Sequence, residues 1–99
     1  MPLVFTQKMS VDTDGVAICR SDSGGAGNIP LGIAFKSICV FPEDSTASWH
    51  LKGINATSEW CKLRGEFIME GMSPSEGGLL FYVKSDSGTI DINLLVRGT

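Results

Sequence analysis

Few side chains in this sequence can do acid–base or covalent chemistry, and their spacing limits what they could do. His50 is the single histidine. A Ser-His-Asp or Cys-His arrangement needs a neighbouring signature. None surrounds His50, which reads as an exposed strand residue. Cys19, Cys39 and Cys61 are too widely spaced for a redox Cys-x-x-Cys pair or a zinc ribbon. Each lies in strand-like sequence, where cysteine serves as a small buried apolar residue. Asp12 and Asp14 precede Gly15 as carboxylates do in a calcium loop, with Asp91 a remote third candidate. The full loop pattern is absent, so a turn closed by side chain–backbone bonds is expected. Glu66 and Glu70 flank Ile68 like a glycosidase pair, yet nothing in the sequence raises either pKa. They read as a solvated strand face. No acid, base and nucleophile converge. The chain is therefore not expected to be an enzyme, and neither a metal nor another cofactor is expected.

The remaining candidates are aromatic. Trp49, Trp60 and Tyr82 could stack on sugar rings or bury into a protein partner. These three are the candidate ligand or partner contacts. Trp49 shares its phase with Leu51, which points it to the core. Trp60 precedes the inward Cys61, so its phase is outward or at an edge.

The elements that must hold these residues follow from period-two patterning. From Trp60 to Gly98 three segments alternate apolar and polar positions. In the first, Cys61, Leu63, Phe67 and Met69 share a side. In the second, Leu79, Phe81 and Val83 do so, and in the third Ile90, Ile92, Leu94 and Val96. The breaks at residues 73–78 and 85–88 are rich in Ser, Asp, Pro and Gly, which suit turns. This stretch reads as an antiparallel meander. Earlier strands are expected from Leu3 to Met9, Gly15 to Arg20, Ile29 to Phe41 and Ala47 to Lys52. In the third of these, apolar residues on both phases mean that its end is covered on both sides or that the register shifts at Lys36-Ser37. The glycine-rich residues 21–28 form a loop. Met9, Met69 and Met72 are read as adaptable contact residues or core filling. No stretch keeps a helical period, and turn residues recur as a β-sandwich requires.

Ninety-nine residues make one domain, spanning residues 1–99, with room for a single modest core. Hydrophobic content of 42% suits a globular chain. The net charge of −3, with basic residues scattered along the sequence, argues against nucleic acid. No apolar run is long enough to span a membrane, and the start lacks a secretory pattern. With Met1 in place the chain is expected to be a complete product. Asn55-Ala56-Thr57 matches a glycosylation acceptor, which has no meaning without secretion.

Trp60-x-x-Leu63-x-Gly65-x-Phe67, then Leu80-Phe81-Tyr82-Val83, then Gly88-Thr89-Ile90-Asp91-Ile92, resembles the closing strands of jelly-roll carbohydrate-binding modules. Ile33-Ala34-Phe35-Lys36 is loosely similar to an inner strand of those modules. The resemblance runs over residues 31 to 97 and implies an all-β, antiparallel, jelly-roll-like β-sandwich. It also implies that Trp60 is a scaffold residue and that Asp91 matches one of the family's calcium-ligand positions; the other position has no clear counterpart here. The same compact fold is used by phage capsid decoration, or cement, proteins. Those are small, acidic and made without a signal peptide. The leading expectation is accordingly a virion structural protein, made in the host cytoplasm and located in the virion. It would stabilise the outer capsid as a homo-oligomer, with a trimer favoured, against the major capsid protein or another virion protein. The alternative is a free-standing carbohydrate-binding module with a glycan partner.

Overall fold

The computed structural model describes residues 4–21, 25–33, 35–71 and 78–98. Residues 73–77 of the expected break, Met72, residues 22–24 of the glycine loop, Leu3 and Ala34 lie outside the described residues. The described chain is all-β: β1 (Val4–Val11), β2 (Val16–Arg20), β3 (Asn28–Ile29), β4 (Ser37–Pro42), β5 (Ser48–Lys52), β6 (Cys61–Arg64), β7 (Phe67–Met69), β8 (Gly78–Ser85) and β9 (Ile90–Arg97). They form two sheets. One has four strands in the order β1-β9-β4-β7, and the other five in the order β3-β2-β8-β5-β6.

The pairing explains the topology. β1 lies antiparallel to β9, β2 to β8, β4 to β7 and β5 to β6, and these pairs alternate between the two sheets. β9 also pairs β4, and β8 pairs β5. That is a long antiparallel hairpin rolled up on itself, the jelly-roll arrangement. The short β3 adds a parallel edge to β2. The stretch from Trp60 onward is therefore not a meander. β6, β7, β8 and β9 alternate between sheets, and no two consecutive members of that run pair. Alternation located most strands and inward faces, but a register shift in the β2–β8 pair leaves Leu80, and not Leu79, packed against the core. It carries no information on which strand lies alongside.

One core fills the space between the sheets. Met9, Val11, Ile38, Val40, Ile92, Leu94 and Val96 come from the four-stranded sheet, and Ile18, Ile29, Trp49, Phe81 and Val83 from the other. Trp49 is fully buried, and its Nε1 donates to the Gly65 carbonyl at 2.9 Å. It is a core residue and cannot be a surface contact, which corrects its inclusion among the candidate contacts. Met9 is likewise core, and Met69 packs partly buried against it. Cys61 is exposed and not buried as expected, because β6 is an edge strand.

The expected strand from Ile29 to Phe41 is interrupted. β3 ends at Ile29, residues 31–32 form a turn, and β4 begins at Ser37. Arg20 explains the interruption. It is only 5% exposed and donates to the carbonyls of Leu31 and Ile33 at 2.6 and 2.9 Å. Its guanidinium also lies 5.4 Å from the centroid of Phe35. Two backbone acceptors here serve a buried cation, and Pro30, directly after β3, has no amide donor for a ladder.

The loop before β3 is held from the other sheet. Gln7 donates to the Gly25 carbonyl and accepts from the Gly27 amide. Gly27 has φ +81° and presses on β2, where an added Cβ would run into the Ala17 carbonyl oxygen. Gly65 also has positive φ, +80°, but faces open space. Gly65→Ala should cost about 1–2 kcal/mol from the left-handed backbone alone. Gly27→Ala should cost clearly more, because a clash with backbone adds to the same strain. Urea denaturation of both variants checks the order.

Candidate functional site

The outward face of the five-stranded sheet is built row by row from its register. Tyr82 on β8 pairs with Ala17 on β2 and with Lys52 on β5. In the next row Lys84 pairs with His50, and His50 with Lys62 on β6. Beyond that, Ser48 pairs with Arg64, whose Nε donates to the Ser48 hydroxyl at 3.3 Å. Trp60, just before β6, turns its indole over this face and approaches Gly15 at the start of β2. Its ring meets Tyr82 edge-on, with centroids 6.5 Å apart at 62°. Lys52 Nζ lies 5.3 Å from the Trp60 centroid and 5.1 Å from that of Tyr82, and Lys84 Nζ lies 4.5 Å from Trp60. An ammonium over a ring face is attracted by the π quadrupole. The two aromatic rings and two lysines thus brace one another.

Of the three expected contacts, Trp60 and Tyr82 come together here, each half-buried, and Trp49 does not. The sequence reading missed the cations. Four of the eight basic residues, Lys52, Lys62, Arg64 and Lys84, share this face although the chain is acidic overall. The basic residues are scattered in sequence and gathered in space. Lys52 and Lys84 could be phased outward beside His50 and Tyr82. What alternation could not supply is that β5 and β8 are neighbours.

His50 and Asp86 supply the acid–base groups of the face. Nε2 of His50 lies 2.8 Å from Asp86 Oδ1, and Lys62 Nζ lies 3.5 Å from Oδ2. An ionised carboxylate only accepts, so Nε2 carries the proton. Nδ1 is buried without a partner. Together with Lys62 the pair orders this face.

The other sequence candidates lie elsewhere. Asp12 Oδ1 accepts from the amides of Asp14 and Gly15, the expected self-closed turn. Asp91 accepts from the Ser10 hydroxyl at 3.1 Å across the β1–β9 pair. Among the described residues no group of three His, Cys, Asp or Glu side chains is placed to hold a metal ion. Cys39 and Glu66 meet on the outward face of the other sheet. The thiol donates to Oε2 at 3.6 Å, and burial followed by this bond pushes its pKa up.

No protein-family model and no curated protein matches the chain. Among solved structures it is similar to the Yersinia pseudotuberculosis-derived mitogen. Identity is 14% and the TM-score 0.49, over all of this chain and 88% of that one. At that identity and score the likeness assigns nothing to this protein.

The hydrogen bond with His50 holds the Asp86 carboxyl below its ordinary value of 3.8, with Lys62 adding to the effect and desolvation opposing it. A depressed carboxylate contributes stability that is complete above 3.8 and is lost as pH falls through the lower folded value. Asp86→Asn should therefore be less stable than wild type at neutral pH. The gap between their urea midpoints should close as pH drops from about 6 to about 2. A gap independent of pH would show that the contact contributes through shape alone.

Proposed function

We propose that this chain is a non-enzymatic docking protein that binds the acidic surface of a protein partner through the outward face of the five-stranded sheet. One observation carries the reading: on a chain of net charge −3, Lys52 and Lys84 lie over Trp60 and Tyr82, and Lys62 and Arg64 share the same face. A sheet face of this kind is broad and suits a protein surface. Aromatic and cationic side chains are also the groups that anchor interfaces. The setting that best fits the reading is a structural role on a virion, with the major capsid protein or another virion protein as the partner.

The second reading, a free-standing carbohydrate-binding module, draws on the same rings. A neutral sugar needs an open, flat ring face. Here the rings stand edge to face and ammonium groups lie over them. An acidic sugar could instead draw the lysines to itself.

Tryptophan fluorescence separates these readings, because Trp49 is sealed in the core and Trp60 reports the face. An oligoglutamate peptide, a sulfated oligosaccharide and a neutral oligosaccharide serve as probes at low and moderate salt. The docking reading expects the acidic peptide to perturb Trp60. It expects salt to weaken binding, and Lys52→Glu or Lys84→Glu to weaken it at least about tenfold, or roughly 1.4 kcal/mol. A response confined to either oligosaccharide favours the glycan reading, and silence with all three probes overturns both. The virion setting further requires salt-sensitive co-sedimentation with assembled particles.

A further inference from the structure

The other outward face has a different chemistry. On the four-stranded sheet the central row runs Thr6, Leu95, Cys39, Ile68 across β1, β9, β4 and β7. Ile68 at its edge is 46% exposed, and Val4, one row away opposite Arg97, is 60% exposed. An antiparallel sheet with one face in water should alternate to polar residues there. This one presents Val4, Leu95, Cys39, Phe41 and Ile68.

The next row runs Lys8, Asn93, Phe41, with Glu66 one step beyond the last β4–β7 pair. Its ends therefore carry opposite charges on opposite edges of the sheet. Lys8 already meets Glu43 at 3.3 Å, but both are half-exposed. An ammonium has three donors and can serve a second carboxylate. Phe41 stands between two hollows. One, of about 250 Å³, is lined by Thr6, Lys8, Asn93 and Leu95 on its far side. The other, of about 300 Å³, is lined by Pro42, Ser45, Gly65 and Glu66.

We propose that this face binds a second copy of the chain, face to face, about a two-fold axis running parallel to the strands between β9 and β4. Such an axis lays β1 of one protomer over β7 of its partner. Lys8 then meets the partner's Glu66, and the reciprocal pair forms as well. Leu95 lies over the partner's Cys39. Phe41 lies over the partner's Asn93, beside the hollow that Lys8 and Thr6 line. A two-fold across the strands would instead set Glu70 over the partner's Glu66, a like-charge contact. The charge pattern thus selects both the occupant and the axis, as an isologous contact requires. The four strands, of eight, eight, six and three residues, present about 400 Å² in projection. That is about half of the roughly 800 Å² per partner of a standard interface, so side-chain relief and the flanking turns must supply the rest.

Sedimentation equilibrium over a wide concentration range tests this inference, with circular dichroism to confirm folding. Wild type should be a dimer. Ile68→Glu, at an exposed position that leaves the core untouched, should give monomer. Lys8→Glu and Glu66→Lys should each raise the dimer dissociation constant about tenfold or more, and the double reversal should recover most of the loss. The inference is overturned by a wild-type monomer at high micromolar concentration. It is equally overturned by a dimer or trimer indifferent to Ile68→Glu, or by single reversals that the double variant does not rescue. None of these variants touches Trp60, Lys52 or Lys84, so the outcome is independent of acidic-peptide binding.

Discussion

The indole of Trp49 sits at the centre of the sandwich, and its N–H must find an acceptor there, because a buried unpaired donor costs about 1–3 kcal/mol. The acceptor is the carbonyl of Gly65, at 2.9 Å. Gly65 is also the corner where the chain leaves β6 in one sheet for β7 in the other. Its φ of +80° is a conformation that side-chain-bearing residues rarely adopt. One hydrogen bond therefore ties the largest core side chain to the sheet crossing. The crossing delivers Phe67 and Met69 to the core edge and Ile68 to the outward face. It also fixes β6 beside β5, and with it the place of Trp60, Lys62 and Arg64. Both outward faces depend on this corner.

Those faces share one core but not one chemistry. Period-two alternation requires only that the inner positions be apolar. The outer positions are free to diverge, and here they have done so. Four cations and two rings occupy one side, and a short apolar strip of Leu95, Cys39 and Ile68 the other. The cations are not isolated charges in water. Lys52 and Lys84 lie over rings, and Lys62 and His50 share Asp86. An acidic partner would meet groups whose positions are largely set, which reduces the ordering penalty of association.

Local pattern made part of this legible. Ile90, Ile92, Leu94 and Val96 were identifiable as an inward row, as were Phe81 and Val83, because alternation is written within each strand. Trp60 and Tyr82 could be phased outward for the same reason. The breaks in the pattern were informative in a different way. Arg20 ends a strand with no local signal that it is buried, because its acceptors lie 11 and 13 residues later. The meander failed because pairing is non-local. Ser10 reaches Asp91, 81 residues away, and the sheet-switching corners look like ordinary turns in sequence. The cationic face was hidden likewise, since Lys52 and Lys84 become neighbours only when β5 pairs with β8.

The two faces constrain each other through the geometry of a sandwich. Its sheets lie back to back about 10 Å apart, so their outward surfaces point in opposite directions. A dimer closed through the four-stranded sheets therefore carries its cationic faces on opposite outer sides, separated by four sheet layers, or about 30 Å. Such a dimer cannot bring both cationic faces to one flat acidic surface, and it gains no avidity there, because the second site is out of reach. It can join two acidic surfaces, or seat one copy and present the other outward. A protomer whose copies all sit side by side on one shell would leave the apolar row exposed to water, or would cover it with something other than a second copy. If both proposals hold, bridging is the arrangement that engages the apolar faces and both cationic faces in the directions the fold imposes.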